Sequence, residues 1–250
     1  MNWEHQNIWR TILKKFKHLV VGGCSFSHGG CMFDTIQKES WSPAKRVKQQ
    51  ELNRFSKKLS DKLNLEEINI AQGGGSNDRM FRTLFDWVEK NQDIVEDSLF
   101  VCGLTNIFRK DLYSVPEEKY IISSEIWQDI KYIARDLKCT QKEVQSWRDF
   151  ELKYLIKREE IEKKLIRDCV LFDSLVGGNV IFLNAWRRSD IVHPKLKFLK
   201  INNKPGYVGY NWSDYISSYR ESWDFGHPNK YDHHHMAELL YKYIMEIYNV

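Results

Sequence analysis

The chain has 250 residues, 42% hydrophobic and 14% aromatic, which suffices for one sizeable α/β domain or two small ones and excludes an intrinsically disordered chain. Its formal net charge of +4 is too mild to indicate a nucleic-acid surface, and its lysines alternate with Glu and Asp as on solvated helix faces. The five cysteines are odd in number and contain no CxxC pair, which argues against a disulfide framework or a zinc knuckle; Cys102 and Cys169 sit in apolar runs and read as core residues. No apolar run nears the ~18 residues of a membrane span. The N-terminal MNWEHQNIWRTILKKFKHLVV lacks a signal-peptide pattern, so we expect a soluble protein, cytoplasmic as synthesised, with virion association as the route by which it would leave.

Four short apolar runs, residues 17–22, 67–70, 98–103 and 179–184, read as buried strands, each followed by Gly, Asn or Ser. Helical patterns separate them. Val47, Leu52, Phe55, Leu59 and Leu63 fall near a 3.6 period, and Met80, Phe81, Leu84, Phe85 and Val88 form a second apolar stripe. Met236, Ala237, Leu240, Tyr243, Ile244 and Ile247 mark a C-terminal helix. Strands alternating with helices predict a parallel, doubly wound sheet of the flavodoxin-like kind in a single domain over residues 1–250. The third crossover runs for roughly 75 residues where ~10–12 suffice. Its apolar positions, Ile126, Ile130, Ile133 and Leu137, then Trp147, Phe150, Tyr154, Ile161, Leu165 and Val170, predict a helical insertion over residues 110–176. The polar-aromatic stretch 204–223 reads as a covering loop.

Ligands of an open parallel sheet bind beyond the carboxyl ends of its strands. The segments that follow the strands carry Gly23-Cys24-Ser25, Gly73-Gly74-Gly75-Ser76-Asn77 and Gly103-Leu104-Thr105-Asn106; near the C-terminus comes Asp224-Phe225-Gly226-His227-Pro228. Together they hold what acyl transfer needs. A serine requires a base to take its proton, and a histidine serves at neutral pH. A carboxylate orients the histidine, while backbone N–H groups and an asparagine NH₂ can hold an oxyanion.

These four stretches resemble, in order, the four blocks of the SGNH (GDSL-like) hydrolase superfamily. The resemblance implies that Ser25 is the nucleophile, His227 the base and Asp224 its orienter. It implies an oxyanion hole made by the N–H groups of Ser25 and Gly74 and the side chain of Asn106. It further implies a serine ester hydrolase that requires no cofactor, acting on short acyl, often acetyl, esters, with a small molecule or glycan as substrate. The mild charge and the short apolar runs give no reason to expect nucleic acid or membrane as partner, and no metal is expected. His28, Tyr210, Trp212 and Trp223 are candidates to line the substrate site, with Tyr207 a further stacking aromatic. The pattern departs from the family at Cys24, where an Asp is usual, and at Asp232-His233, where Gly-His is common.

Each feature also has a plainer reading. Ser25 and Asn106 are residue types that cap helices. Cys24 is an alternative thiol nucleophile, although alternation turns it away from Ser25. His233, His234 and His235 are consecutive and lack the i, i+4 spacing of a zinc helix, so they read as exposed, with His233 nearest the site. Arg79, Arg82, Arg109, Arg187 and Arg188 follow motifs or strands and are either acidic-substrate ligands or surface charge. A non-catalytic glycan-binding or structural virion module on the same fold is the rival from another class.

Overall fold

The computed structural model describes residues 15–29, 41–114, 118–123, 130–155, 157–185, 191–199, 201 and 228–248. Its main sheet has four parallel strands: β1 (His18–Gly23), β2 (Glu66–Asn69), β3 (Ser98–Leu104) and, last in the chain, β6 (Val180–Asn184). Their spatial order is β2-β1-β3-β6, with every neighbouring pair parallel, so the chain starts in the middle and winds outward both ways. This is the flavodoxin-like, doubly wound order that the alternation of elements predicts.

Successive residues of each strand feed opposite faces. Leu19, Val21, Leu99, Val101, Ile181 and Leu183 join one core, and Val20, Phe100, Cys102, Val180 and Phe182 join the other. The first face is covered by α3 (Phe55–Leu63) and α8 (Lys230–Ile247), through Phe55, Leu59, Met236, Leu240 and Ile244. The second is covered by α4 (Asn77–Lys90) and α7 (Arg158–Leu175), through Phe81, Leu84, Cys169 and Phe172. Each fully buried Leu or Phe contributes about 1.5–3 kcal/mol over its exposed state, and near-continuous apolar strands follow from burial on both faces.

The lysine-rich stripe before β2 predicts one helix; the structure holds two. Helix α2 (Pro43–Asn53) stops and α3 begins at Arg54, whose ψ of 149° is extended. Arg54 makes a two-pronged pair with Glu67 on β2, at 2.8 and 3.0 Å. The break leaves Val47 and Leu52 on the surface, so they are not core residues. It also frees the Phe55 N–H, which donates to Nδ1 of His233 on α8 at 3.2 Å.

The long crossover is not helical throughout. It opens with an antiparallel hairpin, β4 (Lys110–Ser114) and β5 (Lys119–Ser123). Two helices follow, α5 (Ile130–Leu137) and α6 (Gln141–Phe150), packed through Ile133, Ala134 and Val144. A Thr140–Glu143 capping box starts α6. A single π turn (Glu151–Leu155) precedes α7, which returns to the main sheet. Phe150 and Tyr154 are exposed, so the apolar positions of 147–170 do not form one continuous buried stripe.

Candidate active site

The carboxyl ends of β1 and β3 are in register, with Gly23 opposite Gly103. Between them sits Ser27, fully buried. A Cβ on Gly103 would lie 2.1 Å from Ser27 Oγ, and one on Gly23 would lie 2.3 Å from it and 2.9 Å from the Gly103 carbonyl oxygen. Gly23 also has φ +145°, which L side chains rarely adopt. Both glycines are therefore dictated by the serine wedged between the strand ends.

That wedge belongs to the short helix α1 (Ser25–His28), which starts directly after β1 and ends at left-handed Gly29. Ser25 is its first residue, two beyond Gly23 and largely buried. Cys24 turns the other way and is buried with Phe16, Leu19 and Phe26 in the first core. A thiol packed there is a small core residue rather than an accessible nucleophile. His28 is half-buried at the end of α1; burial first, then the Arg54 charge, lowers its pKa, with Glu51 opposing.

The loop after β2 extends the sheet toward this turn. The Gln72 N–H donates to the Gly23 carbonyl oxygen at 3.1 Å, and Gly75 N–H closes a turn onto the Gln72 oxygen at 3.1 Å. Gly74 sits at the tip with φ +73°. Ser76 then caps α4, accepting from the Arg79 N–H at 3.1 Å. Asn77 forms a closed pair with Thr105 beyond β3: its Nδ2 donates to the Thr105 oxygen at 3.1 Å, and its Oδ1 accepts from the Thr105 N–H at 2.9 Å. One residue later, buried Asn106 accepts the Phe108 N–H on Oδ1 at 2.9 Å. That bond fixes which end of the amide is oxygen, leaving NH₂ as the other branch.

A further amide ties the first turn to the helix layer. Asn69, the last residue of β2, donates from Nδ2 to the Ser27 carbonyl oxygen at 3.0 Å and to Ser56 Oγ at 2.8 Å, and accepts the Ala71 N–H at 3.1 Å. Ser56 lies in the first turn of α3, so that turn is at the same rim. The Phe55–His233 hydrogen bond brings the first turn of α8 there as well. Asn229 and Asp232 form the capping box of α8: Asn229 Oδ1 accepts the Tyr231 and Asp232 N–H groups, and Asp232 Oδ2 accepts the Asn229 N–H at 2.6 Å. The departure at Asp232-His233 therefore has a local reason: one residue completes a cap and the other accepts from the Phe55 N–H.

His233 is fully buried and stacked on the Phe55 ring, which corrects the expectation of an exposed histidine row; His234 is exposed, as expected. Arg79 and Arg82 both pair with Asp111 of the hairpin. The other expected residues, Asp224, His227, Tyr207, Tyr210, Trp212, Trp223, Arg187 and Arg188, lie outside the described residues. Among the described residues no three His, Cys, Asp or Glu side chains group as metal ligands, and no helix is long and apolar enough to cross a membrane.

Sequence reasoning singled out Ser25, Gly74 and Asn106 but missed the residues that hold their loops: Ser27, Asn69, Asn77 and Asp111. The signal was present in part, since each of the two asparagines lies at a strand end or helix start. Such residues are common there for capping alone.

No family model matches the sequence. No curated protein matches it either. Among solved structures, the chain is similar to a carbohydrate esterase whose active site displays divergent catalytic and non-catalytic binding functions, at 13% identity and a TM-score of 0.45, over 92% of this chain and 65% of that one. The chain thus spans about two thirds of that protein's described length. It is also similar to a lipolytic protein of the G-D-S-L family from Desulfitobacterium hafniense DCB-2, at 12% identity and a TM-score of 0.34, over 91% of this chain and 99% of that one.

Proposed function

We propose that the chain is a serine ester hydrolase working through an acyl-serine intermediate on short acyl esters, with an acetylated carbohydrate as substrate class. The observation that carries this reading is the joining of three motif-bearing loops at one rim. Gly23 pairs with Gly103 and accepts from Gln72, so the turns holding Ser25, Gly74 and Asn106 are neighbours. The fourth block ends at Pro228, buried next to the Asn229 cap, and the first turn of α8 is at this rim. His227, which directly precedes Pro228 in the sequence, is the base in this reading.

In this mechanism Ser25 Oγ attacks the acyl carbon while His227 takes its proton. The carbonyl π electrons move to oxygen, and the N–H groups of Ser25 and Gly74 with the Asn106 NH₂ stabilise the oxyanion. Collapse expels the alcohol, which takes the proton from His227, and the acyl group stays on Ser25. Water, deprotonated by His227, then attacks the acyl carbon; the Ser25 oxygen leaves, takes that proton back from His227, and the acid is released. Asp224 holds the imidazole tautomer and stabilises its cation.

The test is turnover of p-nitrophenyl esters of increasing acyl length beside acetylated sugars. Wild type is expected to prefer acetyl. Ser25→Ala and His227→Ala should each lower kcat by at least ~10³-fold, as loss of a nucleophile or base does elsewhere. Equal rates in wild type and Ser25→Ala would reject the mechanism. Absence of any turnover across the series, with glycan binding retained, would favour a binding module.

A further inference from the structure

We infer that Asp111, on the β4–β5 hairpin, is a positioning residue for the loop of residues 73–75. Three consecutive glycines carry more backbone freedom than any other sequence, so a fixed conformation there must be imposed from outside. Within the loop, Gly73 has open space where a Cβ would stand, and Gly74 is left-handed. Its own restraint is the turn from Gly75 N–H to the Gln72 oxygen and the bond from Gln72 N–H to Gly23.

The outside restraint converges on one carboxylate. The Asp111 side chain is 1% exposed and pairs with Arg79 Nε and Arg82 Nη2, each at 2.8 Å. Its Oδ1 accepts from Ser76 Oγ at 3.0 Å. Ser76 is the residue immediately after the glycines, so Asp111 holds one shoulder of the loop directly. It holds the other through Arg79, whose Nη1 donates to Gln72 Oε1 at 3.3 Å. The loop lies along the same side chain: a Cβ on Gly75 would be 3.8 Å from Arg79 Cδ. Arg79 Nη2 also donates to the Tyr120 carbonyl oxygen at 3.4 Å, and the Arg82 guanidinium stacks 3.8 Å above the Tyr120 ring, so both hairpin strands engage.

Both guanidiniums donate to Oδ2 and Ser76 donates to Oδ1, so three donors converge on one buried carboxylate, and the rigid plane of the Arg79 guanidinium spreads its three nitrogens over Asp111, Gln72 and Tyr120. The hairpin therefore acts as a brace, and Asp111 acts through Ser76 and Arg79 rather than by touching substrate. The effect on turnover rests on the ester-hydrolase reading; the effect on the loop does not.

The experiment measures amide hydrogen exchange and p-nitrophenyl acetate kinetics on the full chain, as wild type, Asp111→Asn and Arg79→Lys. Arg79→Lys keeps the charge, loses the planar contact to three acceptors, and decides the matter if Asp111→Asn does not fold. Exchange over residues 72–76 should quicken by at least ~10-fold while the β1 and β3 amides keep their rates. The kcat should fall ~10–100-fold with KM within ~3-fold, as for a displaced oxyanion donor. Unchanged exchange over 72–76, or acceleration spread evenly along the chain, would overturn the inference. So would a loosened loop with kcat intact. A loosened loop in a protein whose wild type turns over no ester leaves Asp111 as the brace and refutes the ester-hydrolase reading instead.

Discussion

The two ends of the main sheet are built from different chemistry. At the amino ends of the strands the polar contacts are charged and partly exposed: Lys17 pairs with Asp97, and His18 Nδ1 lies 3.2 Å from a largely exposed Glu66. At the carboxyl ends the contacts that join the strands to their loops are neutral and largely buried: Ser27 wedged between two glycines, Asn69 bridging Ser27 to Ser56, and Asn77 closed onto Thr105. Exposed ion pairs fix little, because solvent screens them and long side chains lose entropy in holding one geometry. Buried amide pairs fix loops to within a hydrogen bond, because breaking one leaves backbone groups unsatisfied away from water. The contrast separates an end that merely ends strands from an end built to hold three loops in mutual position.

The largest effect that would break this contrast comes from the glycine pair. Gly23→Ala meets Ser27 Cβ at 2.8 Å and a backbone oxygen at 2.9 Å in a positive-φ conformation, and should destabilise by about 3 kcal/mol or more in urea unfolding. Gly103→Ala should cost about 1–3 kcal/mol, since its severe contact is the Ser27 hydroxyl. Ser27→Ala should therefore rescue most of the loss at Gly103 and little of the loss at Gly23. Equal rescue of both would show that the wedge is not what selects these glycines.

Next comes Asn77→Ala, which strands the Thr105 N–H and carbonyl and should cost about 2–4 kcal/mol by the same measurement. Lys17→Met at the opposite end should leave the midpoint unchanged within error. If the two substitutions have similar effects, the distinction between the ends fails. The smallest effect is a pH dependence at the rim. His28 and His235 both have pKa values lowered chiefly by burial. The folded state therefore binds fewer protons than the unfolded one near and below the ordinary value of ~6.5. Stability should be full above that value, fall as pH drops through it, and level off below the folded pKa values. Replacing both histidines by asparagine should flatten that step in a pH series of thermal midpoints.

How much of this was legible in the sequence follows from where burial and polarity agree. Three of the four main strands, β1, β3 and β6, are apolar and buried on both faces, so their runs stand out, while the edge strand β2 is half-buried; each predicted strand overlaps an observed one within a residue or so at its ends. The β4–β5 hairpin was not legible, because it inverts the usual pattern. Its charged Asp111 is buried by two arginines while Tyr113 and Tyr120 are exposed, so polarity misreports which residues face inward. The break at Arg54 was hidden for a related reason: the helical period continues through it, and only pairing with Glu67 across the fold shows why the chain turns. Candidate Ser25 could be singled out because a serine at a strand end needs a partner set, and the later motifs supplied one. Ser27 could not, since its importance is steric and depends on two glycines some 80 residues apart, which meet only through strand pairing.

The central claim is that Ser25 is a nucleophile rather than a helix-starting residue of a binding module. Treatment of wild type and Ser25→Ala with a fluorophosphonate probe, followed by peptide mapping, tests it most directly. The account predicts one covalent adduct per chain on Ser25, abolished in Ser25→Ala with the fold intact. An adduct that persists in the variant, or a folded wild type that takes none, would contradict it.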